Sequence, residues 1–298
     1  MEDFLKRKLK YAREQLDIHN YFRAVEAVRR LIACKIHYFE WQGHLIKGKG
    51  LFHLGQLEEA LSHLESALAL EPKDEETQLF TIDCLIALER FLEARLRTIS
   101  LSTLFPASTS YLDYLLTIDQ LLGDHKKVIH HCDQLIQWYP SESRYFNAKG
   151  DANLSLGYLV ESLECYLEAN RLTKDKGHLA IINNNIGYVH SRMGHYARAK
   201  DYLNKSLQYN EEFAFALNHL AWVLHKLKQT DEGMKKIKES LKIDPYNSYA
   251  YKNRAKIFLD LGQLKKAKVD LLRAKSLDYE LLYDNEVNDL IASYQFAD

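Results

Sequence analysis

Residues 41–74 read WQGHLIKGKGLFHLGQLEEALSHLESALALEPKD, and the spacing inside this stretch decides the fold. Numbered from its first residue, it places Gly48 at position 8, Leu51 at 11, Gly55 at 15, Ala60 at 20, Leu64 at 24, Ala67 at 27 and Pro72 at 32. Apolar residues at three and four spacing describe two amphipathic helices, and Gly55 falls where the first must end. The four prolines extend the frame beyond the stretch. Pro72, Pro106, Pro140 and Pro245 stand 34, 34 and 105 residues apart, the last interval being three 34-residue steps and three extra residues.

Further units follow at 75–108, 109–142 and 143–176. A three-residue insertion near Gly177, His178 and Leu179 then resets the frame to 180–213, 214–247 and 248–281. Position 20 reads Ala60, Ala94, Val128, Ser162, Ala199, Gly233 and Ala267, all small or modest, as a close helix crossing requires. Position 15 reads Gly55, Gly123, Gly157, Gly194 and Gly262, which suits a left-handed turn that glycine adopts without strain. Glu89 and Lys228 depart from that rule, and Ile82 replaces the position 8 glycine, so 75–108 is the least typical unit. Upstream, Ala24 at position 20 and Leu31 at 27 give a degenerate unit at about 5–38. Downstream, Val287, Leu290, Ile291 and Tyr294 recur at helical spacing among Asp284, Asn285, Glu286 and Asp289. That segment, 282–298, is expected to cap Leu271, Leu272 and Ala274 of the last unit.

This 34-residue pattern resembles the tetratricopeptide repeat family over nearly the whole chain. The resemblance implies an all-α, right-handed superhelical solenoid of about eight antiparallel helix-turn-helix repeats with a C-terminal capping helix, one domain over 1–298. It also implies a concave surface lined by the first helix of each repeat, holding an extended peptide or a partner helix.

Composition narrows the function classes. Forty Lys and Arg face 41 Asp and Glu for a formal charge of -1, so no global field draws nucleic acid or membranes. With 47% hydrophobic residues, 4 Pro and 12 Gly, the chain reads as packed helix. No apolar run approaches 18 residues and the start MEDFLKRKLK is charged, so a soluble cytoplasmic protein is expected. The four scattered cysteines, Cys34, Cys84, Cys132 and Cys165, read as buried thiols of a reducing compartment. HExxH, GxxxxGK[ST] and GxSxG are absent from the sequence. Adjacent His130 and His131 point about 100° apart on a helix and make poor joint ligands. No catalytic residue, cofactor or metal is expected.

On the first helices, positions 2, 5, 6, 9, 12 and 13 share one stripe. In the N-terminal half it carries Leu45, Ile46, Lys49 and Phe52, then Glu76, Leu79, Phe80, Asp83 and Ile86, then Asp113, Tyr114 and Leu121, apolar and mildly acidic; in the C-terminal half it is polar, aromatic and basic. The candidate ligand-binding residues are Arg144, Asn147, Asn184, Asn185, Tyr188, Arg192, Asn218, Trp222, Lys226, Lys252, Asn253 and Lys256. Asparagine both donates and accepts, so Asn147, Asn184 and Asn218 at one register position would hold the backbone of a guest peptide, unless they bond only within the array. Counting Arg144, Arg192, Lys226, Lys252 and Lys256 against Asp151 and Asp260, the partner is expected to be acidic there. The carboxylate-clamp order found in some family members is missing, since Lys252 is followed at position 9 by Lys256.

The expected function is a non-catalytic protein interaction scaffold. Assembly or self-association through the apolar inner face around Leu45, Phe52, Leu79 and Phe80 is the alternative, homo-oligomers included. Nucleic-acid binding is disfavoured by the neutral charge.

Overall fold

The computed structural model describes residues 1–105, 109–277, 279 and 285–294, and its described residues contain helices and no strand. Pro106 and residues 282–284 and 295–298 of the expected cap lie outside the described residues. Contacts separate two compact units, Met1–Leu135 and Ile136–Asp298.

The first unit contains α1 (Glu2–Asp17), α2 (Tyr21–Ala27), α3 (Arg29–Ala33), α4 (His37–His53), α5 (Leu57–Leu70), α6 (Glu75–Ala87), α7 (Phe91–Leu104) and α8 (Ser110–Leu121), while α9 (His125–Trp138) contains the division point. The second contains α10 (Ser143–Ser155), α11 (Leu159–Leu172), α12 (Lys176–Arg192), α13 (Tyr196–Tyr209), α14 (Ala214–Lys226), α15 (Thr230–Ile243), α16 (Ser248–Asp260), α17 (Leu264–Lys275) and α18 (Glu286–Tyr294). Successive helices pack as antiparallel pairs, α4 on α5, α10 on α11, α12 on α13, α14 on α15 and α16 on α17. The architecture is an all-α helical-repeat solenoid.

The hairpin corner recurs because its hydrogen bonds recur. Gln56 N donates to Leu51 O at 2.9 Å across left-handed Gly55, and His195 N donates to His190 O at 2.8 Å across Gly194. Glu89 (φ 58°) and Lys228 (φ 65°) take the same left-handed conformation without being glycine, so those corners retain their geometry at a steric cost. His19 (φ 58°) does so after α1.

Close packing fixes the small positions. A Cβ on Gly187 would lie 2.6 Å from Leu203 Cγ, and one on Gly233 would lie 2.6 Å from the Ala221 carbonyl oxygen. The insertion at Gly177–Leu179 is absorbed as an extra turn, since α12 has 17 residues where α10, α14 and α16 have 13. Asp175 caps that turn, its carboxylate accepting from His178 N at 2.8 Å. At the C-terminal end Val287 is fully buried, and with Leu290 and Ile291 it packs against Tyr249, Ala255, Leu271, Ala274 and Tyr279. Leu272 stays exposed, contrary to expectation, because it projects about 100° around α17 from buried Leu271. Cys84 and Cys132 are buried, whereas Cys34 and Cys165 are half-buried. Among the described residues no helix is long and apolar enough to cross a membrane.

Candidate functional site

The first helices of three successive repeats, α12, α14 and α16, with α18 beside them, enclose a cavity of about 440 Å³ in the second unit. Its wall includes Tyr188 and Arg192 from α12, His219 and Trp222 from α14, Tyr249, Lys252, Asn253 and Lys256 from α16, and Asn285, Glu286 and Asp289 at α18. Spacings of three and four residues along each helix bring these side chains to one face.

The cavity floor is an aromatic and imidazole stack. The Tyr188 and His219 rings are stacked with centroids 4.7 Å apart, and Tyr249 meets His219 edge-on at 5.3 Å. Tyr249 donates from its hydroxyl to the Tyr188 oxygen at 3.0 Å, and Arg192 Nη1 donates to the same oxygen at 3.1 Å. Burial, reinforced by the charge of Lys252, pushes the His219 imidazole down to about 3, so it is neutral and its Nδ1 hydrogen bonds to Asn184 Oδ1 at 2.8 Å. Trp222 carries a lysine near its ring from each direction along the wall, Lys226 at 4.3 Å and Lys256 at 4.7 Å.

The charges are arranged as internal pairs. Lys252 donates to Glu286 Oε2 at 2.7 Å and Lys256 to Oε1 of the same carboxylate at 2.6 Å. Burial would raise the Glu286 carboxyl, but the two ammonium groups outweigh it and hold the pKa at about 2. Lys252 is 2% exposed and also lies 3.7 Å over the Tyr249 ring. One repeat back, Lys226 donates to Asp260 Oδ2 at 2.7 Å, and His225 reaches the same oxygen at 3.1 Å.

These pairings bear on the expected acidic guest. At the cavity itself Glu286 and Asp289 of α18 stand with Arg192, Lys252 and Lys256, two carboxylates and three cations. Lys226, Lys252 and Lys256 already hold carboxylates of this chain.

The asparagines expected to hold a guest backbone, or else to bond only within the array, have partners in this chain. Asn218 is 0% and Asn253 4% exposed, and Asn253 Nδ2 donates to Asn218 Oδ1 at 3.2 Å between neighbouring repeats. Asn184 is buried, accepting from His219 and donating to Asn185, whose own amide reaches Asp151 Oδ1 at 3.4 Å. Asn147 is half-buried and donates to Asp151 Oδ2 at 3.1 Å. Asn184, Asn185, Asn218 and Asn253 thus link helix to helix, whereas the Asn147 bond stays within α10. Arg144 is exposed and stacks on Tyr145, its Cζ 4.5 Å from the ring centroid, away from the main cavity.

Of the twelve candidates, Tyr188, Arg192, Trp222, Lys252, Asn253 and Lys256 therefore share the cavity. Arg144 and Asn147 border a smaller hollow of about 140 Å³ with His178 and Ile182. Ser191, His219, Tyr249, Asn285, Glu286 and Asp289 were not among the candidates. The acidic residues of 284–289 opposite a lysine pair were the available signal, read only as the polar side of a cap. In the first unit Leu45 and Ile46 are buried while Phe52, Leu79 and Phe80 are half-buried, so the apolar face there is smaller than expected. Among the described residues no group of three His, Cys, Asp or Glu is placed to hold a metal ion.

A family model described as "Tetratricopeptide repeat" matches residues 51–113, and a second of the same description matches 180–213 and 216–247. Among curated proteins, "Photosystem I assembly protein Ycf3" of Rippkaea orientalis is 33% identical over 87 residues, 28% of this chain and 50% of that protein. The Sorghum bicolor protein of the same name is 31% identical over 96 residues, 31% of this chain and 56% of that one. The match thus spans about half the length of these relatives. A tetratricopeptide repeat protein from Parabacteroides merdae superposes with a TM-score of 0.71 at 14% identity, covering 85% of this chain and 97% of its own. The structure titled "APC/C hetero-tetramer Cut9-Hcn1" gives 0.61 at 14% identity, covering 92% and 52%. At such identity the likeness is one of fold; the family models show that the segments 51–113, 180–213 and 216–247 of this chain are tetratricopeptide repeats.

Proposed function

We propose that this chain is a non-catalytic scaffold that holds a segment of a partner protein against the inner wall of its C-terminal repeats. The observation that carries the reading is the cavity of about 440 Å³, where Tyr188, Trp222 and Arg192 stand together at a recess. Such a combination of aromatic and guanidinium groups is typical of residues that anchor protein interfaces. Its pairs of opposite charge leave no chemistry-bearing group poised beside a nucleophile. The thiols at Cys34, Cys84, Cys132 and Cys165, none of them in a disulfide, suit a cytoplasmic setting.

The test is a peptide array probed with the wild-type chain and with the Trp222→Ala, Arg192→Glu double variant. Peptides bound by the first and lost by the second, at equal helicity by circular dichroism, support the reading. Peptides bound equally by both refute it, as does turnover of a small molecule by the purified chain.

A second reading, a part in assembling a larger complex, is favoured by the name of the curated relatives, which are assembly proteins matched over about half their length. Its self-association form would use Phe52, Leu79 and Phe80, and light scattering that gives a monomer at micromolar concentration would remove it. Nucleic-acid binding is weakened by the pairing of Lys226, Lys252 and Lys256 with carboxylates.

A further inference from the structure

We infer that the outer face of α17 docks on an anionic membrane surface, its cations reaching lipid phosphates while Val269 and Leu272 enter the boundary of the acyl chains. The C-terminal cavity takes no part, since α17 supplies none of its wall.

The first ground is a charge that the neutral total conceals. Residues 226–275 hold 14 Lys and Arg against 6 Asp and Glu, a formal charge of +8 in a chain that sums to -1. The excess is sharpest on α17, which has Lys265, Lys266, Lys268, Arg273 and Lys275 and a single acid, Asp270. Asp270 is 4% exposed and turned inward, accepting from Arg254 Nε at 2.7 Å and from Nη2 at 2.8 Å. No carboxylate of this helix therefore stands on its solvent side to oppose the five cations. Other second helices carry the opposite sign: α5 exposes Glu58, Glu59 and Glu65 and contains no Lys or Arg, and α11 exposes Glu161 and Glu164. The basic face belongs to the last hairpin and is no general coat of the array.

The second ground is arrangement. Ala267, Leu271 and Ala274 bury the inner side of α17. At about 100° per residue, Val269 and Leu272 fall within about 60° of each other on the opposite crest, beside Lys265. Lys268 and Lys275 run along one flank of that crest, Lys266 and Arg273 along the other. Val269 is 67% and Leu272 48% exposed. Aliphatic groups between two lines of cations suit a helix lying among lipid headgroups, where the apolar tips leave water and the lysine stems keep their ammonium groups beside phosphate.

The third ground separates the membrane from other polyanions. A nucleic acid would pair with the lysines but set Val269 and Leu272 against sugar and phosphate, and α17 has no aromatic ring on which a base could stack. A flexible acidic polypeptide would likewise use the cations and leave the crest wet. A bilayer with anionic lipids takes both parts of the face at once.

The experiment is flotation of the full chain with two kinds of vesicle, phosphatidylcholine alone and phosphatidylcholine with about one-third phosphatidylserine. Three double variants accompany the wild type: Lys265→Glu with Arg273→Glu, Val269→Ser with Leu272→Ser, and Lys10→Glu with Lys126→Glu as a control that changes the net charge equally at exposed sites of the first unit. Circular dichroism melting verifies that each is folded. The wild type should float with the phosphatidylserine vesicles and not with phosphatidylcholine alone. Partitioning should fall at least about thirtyfold in the α17 charge variant, about tenfold in the serine variant, and less than about threefold in the control. Absence of flotation, equal flotation with neutral vesicles, or an equal loss in the control overturns the inference. Flotation unchanged by the two serines also overturns it, and marks the face as a site for an acidic polypeptide or a nucleic acid. The scaffold reading stands apart from every one of these results, and Trp222→Ala should float as the wild type does.

Discussion

The inner walls of the two units use the same helix positions in opposite ways. On α4 and α6 the wall is mainly filled by the molecule itself: Leu45 and Ile46 are buried, and Phe52 meets Phe80 edge-on at 6.2 Å. A cross-repeat ion pair on that face, Lys49 to Glu76 at 2.6 Å, sits with Glu76 54% exposed. On α12, α14 and α16 polar and aromatic groups interlock, and Lys252, 2% exposed, meets Glu286 at 2.7 Å. The contrast shows that a repeat frame fixes where a side chain stands without fixing whether it meets solvent, a neighbour or a guest.

The contrast predicts unequal responses. The largest is expected from Glu286→Gln, which removes the charge facing buried Lys252 and should lower stability by about 3 kcal/mol, against under about 0.5 kcal/mol for Glu76→Gln at the exposed pair. Equal losses in chemical denaturation would abolish the distinction between the walls.

Acid should act next, and in a definite order. His63, where burial leads and Lys47 and His44 add to it, is held down at about 4, and His219 at about 3, against a usual 6.5. Each folded histidine binds fewer protons than its unfolded counterpart below pH 6.5, so stability falls as pH drops from 6.5 toward 3–4. The Glu286 carboxyl, lowered from 4.5 to about 2, contributes its stability above 4.5 and loses it as pH falls from there toward 2. Denaturation curves at pH 7 and pH 4.5 should therefore differ by on the order of 1 kcal/mol less in His63→Gln than in wild type. Glu286→Gln should leave that interval unchanged, and a loss of pH dependence in it would refute the assignment.

A smaller effect tests the interlock. In a double-mutant cycle, Asn218→Ala and Asn253→Ala should couple by about 1 kcal/mol, the worth of one buried hydrogen bond. Additive losses would mean that the two amides do not hold each other. The smallest effect is a gain: Lys228→Gly should stabilise by under about 1 kcal/mol by relieving a left-handed side chain, net of the added freedom of the unfolded chain. A loss in thermal melting would show that the Lys228 side chain contributes more than its strain costs.

Periodicity made most of the fold legible. A glycine at the corner and a small residue at the helix crossing are local demands, visible at Gly55, Gly194 and Ala60 without coordinates. The cavity was legible in part, because Tyr188, Arg192, Trp222 and Lys256 follow from helix spacing alone. Burial was not legible: whether Asn218 faces a guest or Asn253 depends on the offset between two repeats, and nothing in either segment encodes it separately. Glu286 was hidden for another reason, since its partners Lys252 and Lys256 lie 34 and 30 residues away in sequence and belong to a helix read as facing outward to a guest.

Glu89 and Lys228 bear on how such a chain tolerates change. If an ordinary L-residue is forced through the same backbone corner that glycine makes elsewhere, the stacking of neighbouring hairpins, and not the corner residue, dictates the path. Substitution at these corners should then alter the melting temperature while leaving the pitch of the array untouched, which makes them natural places to tune robustness without redrawing the surface that partners meet.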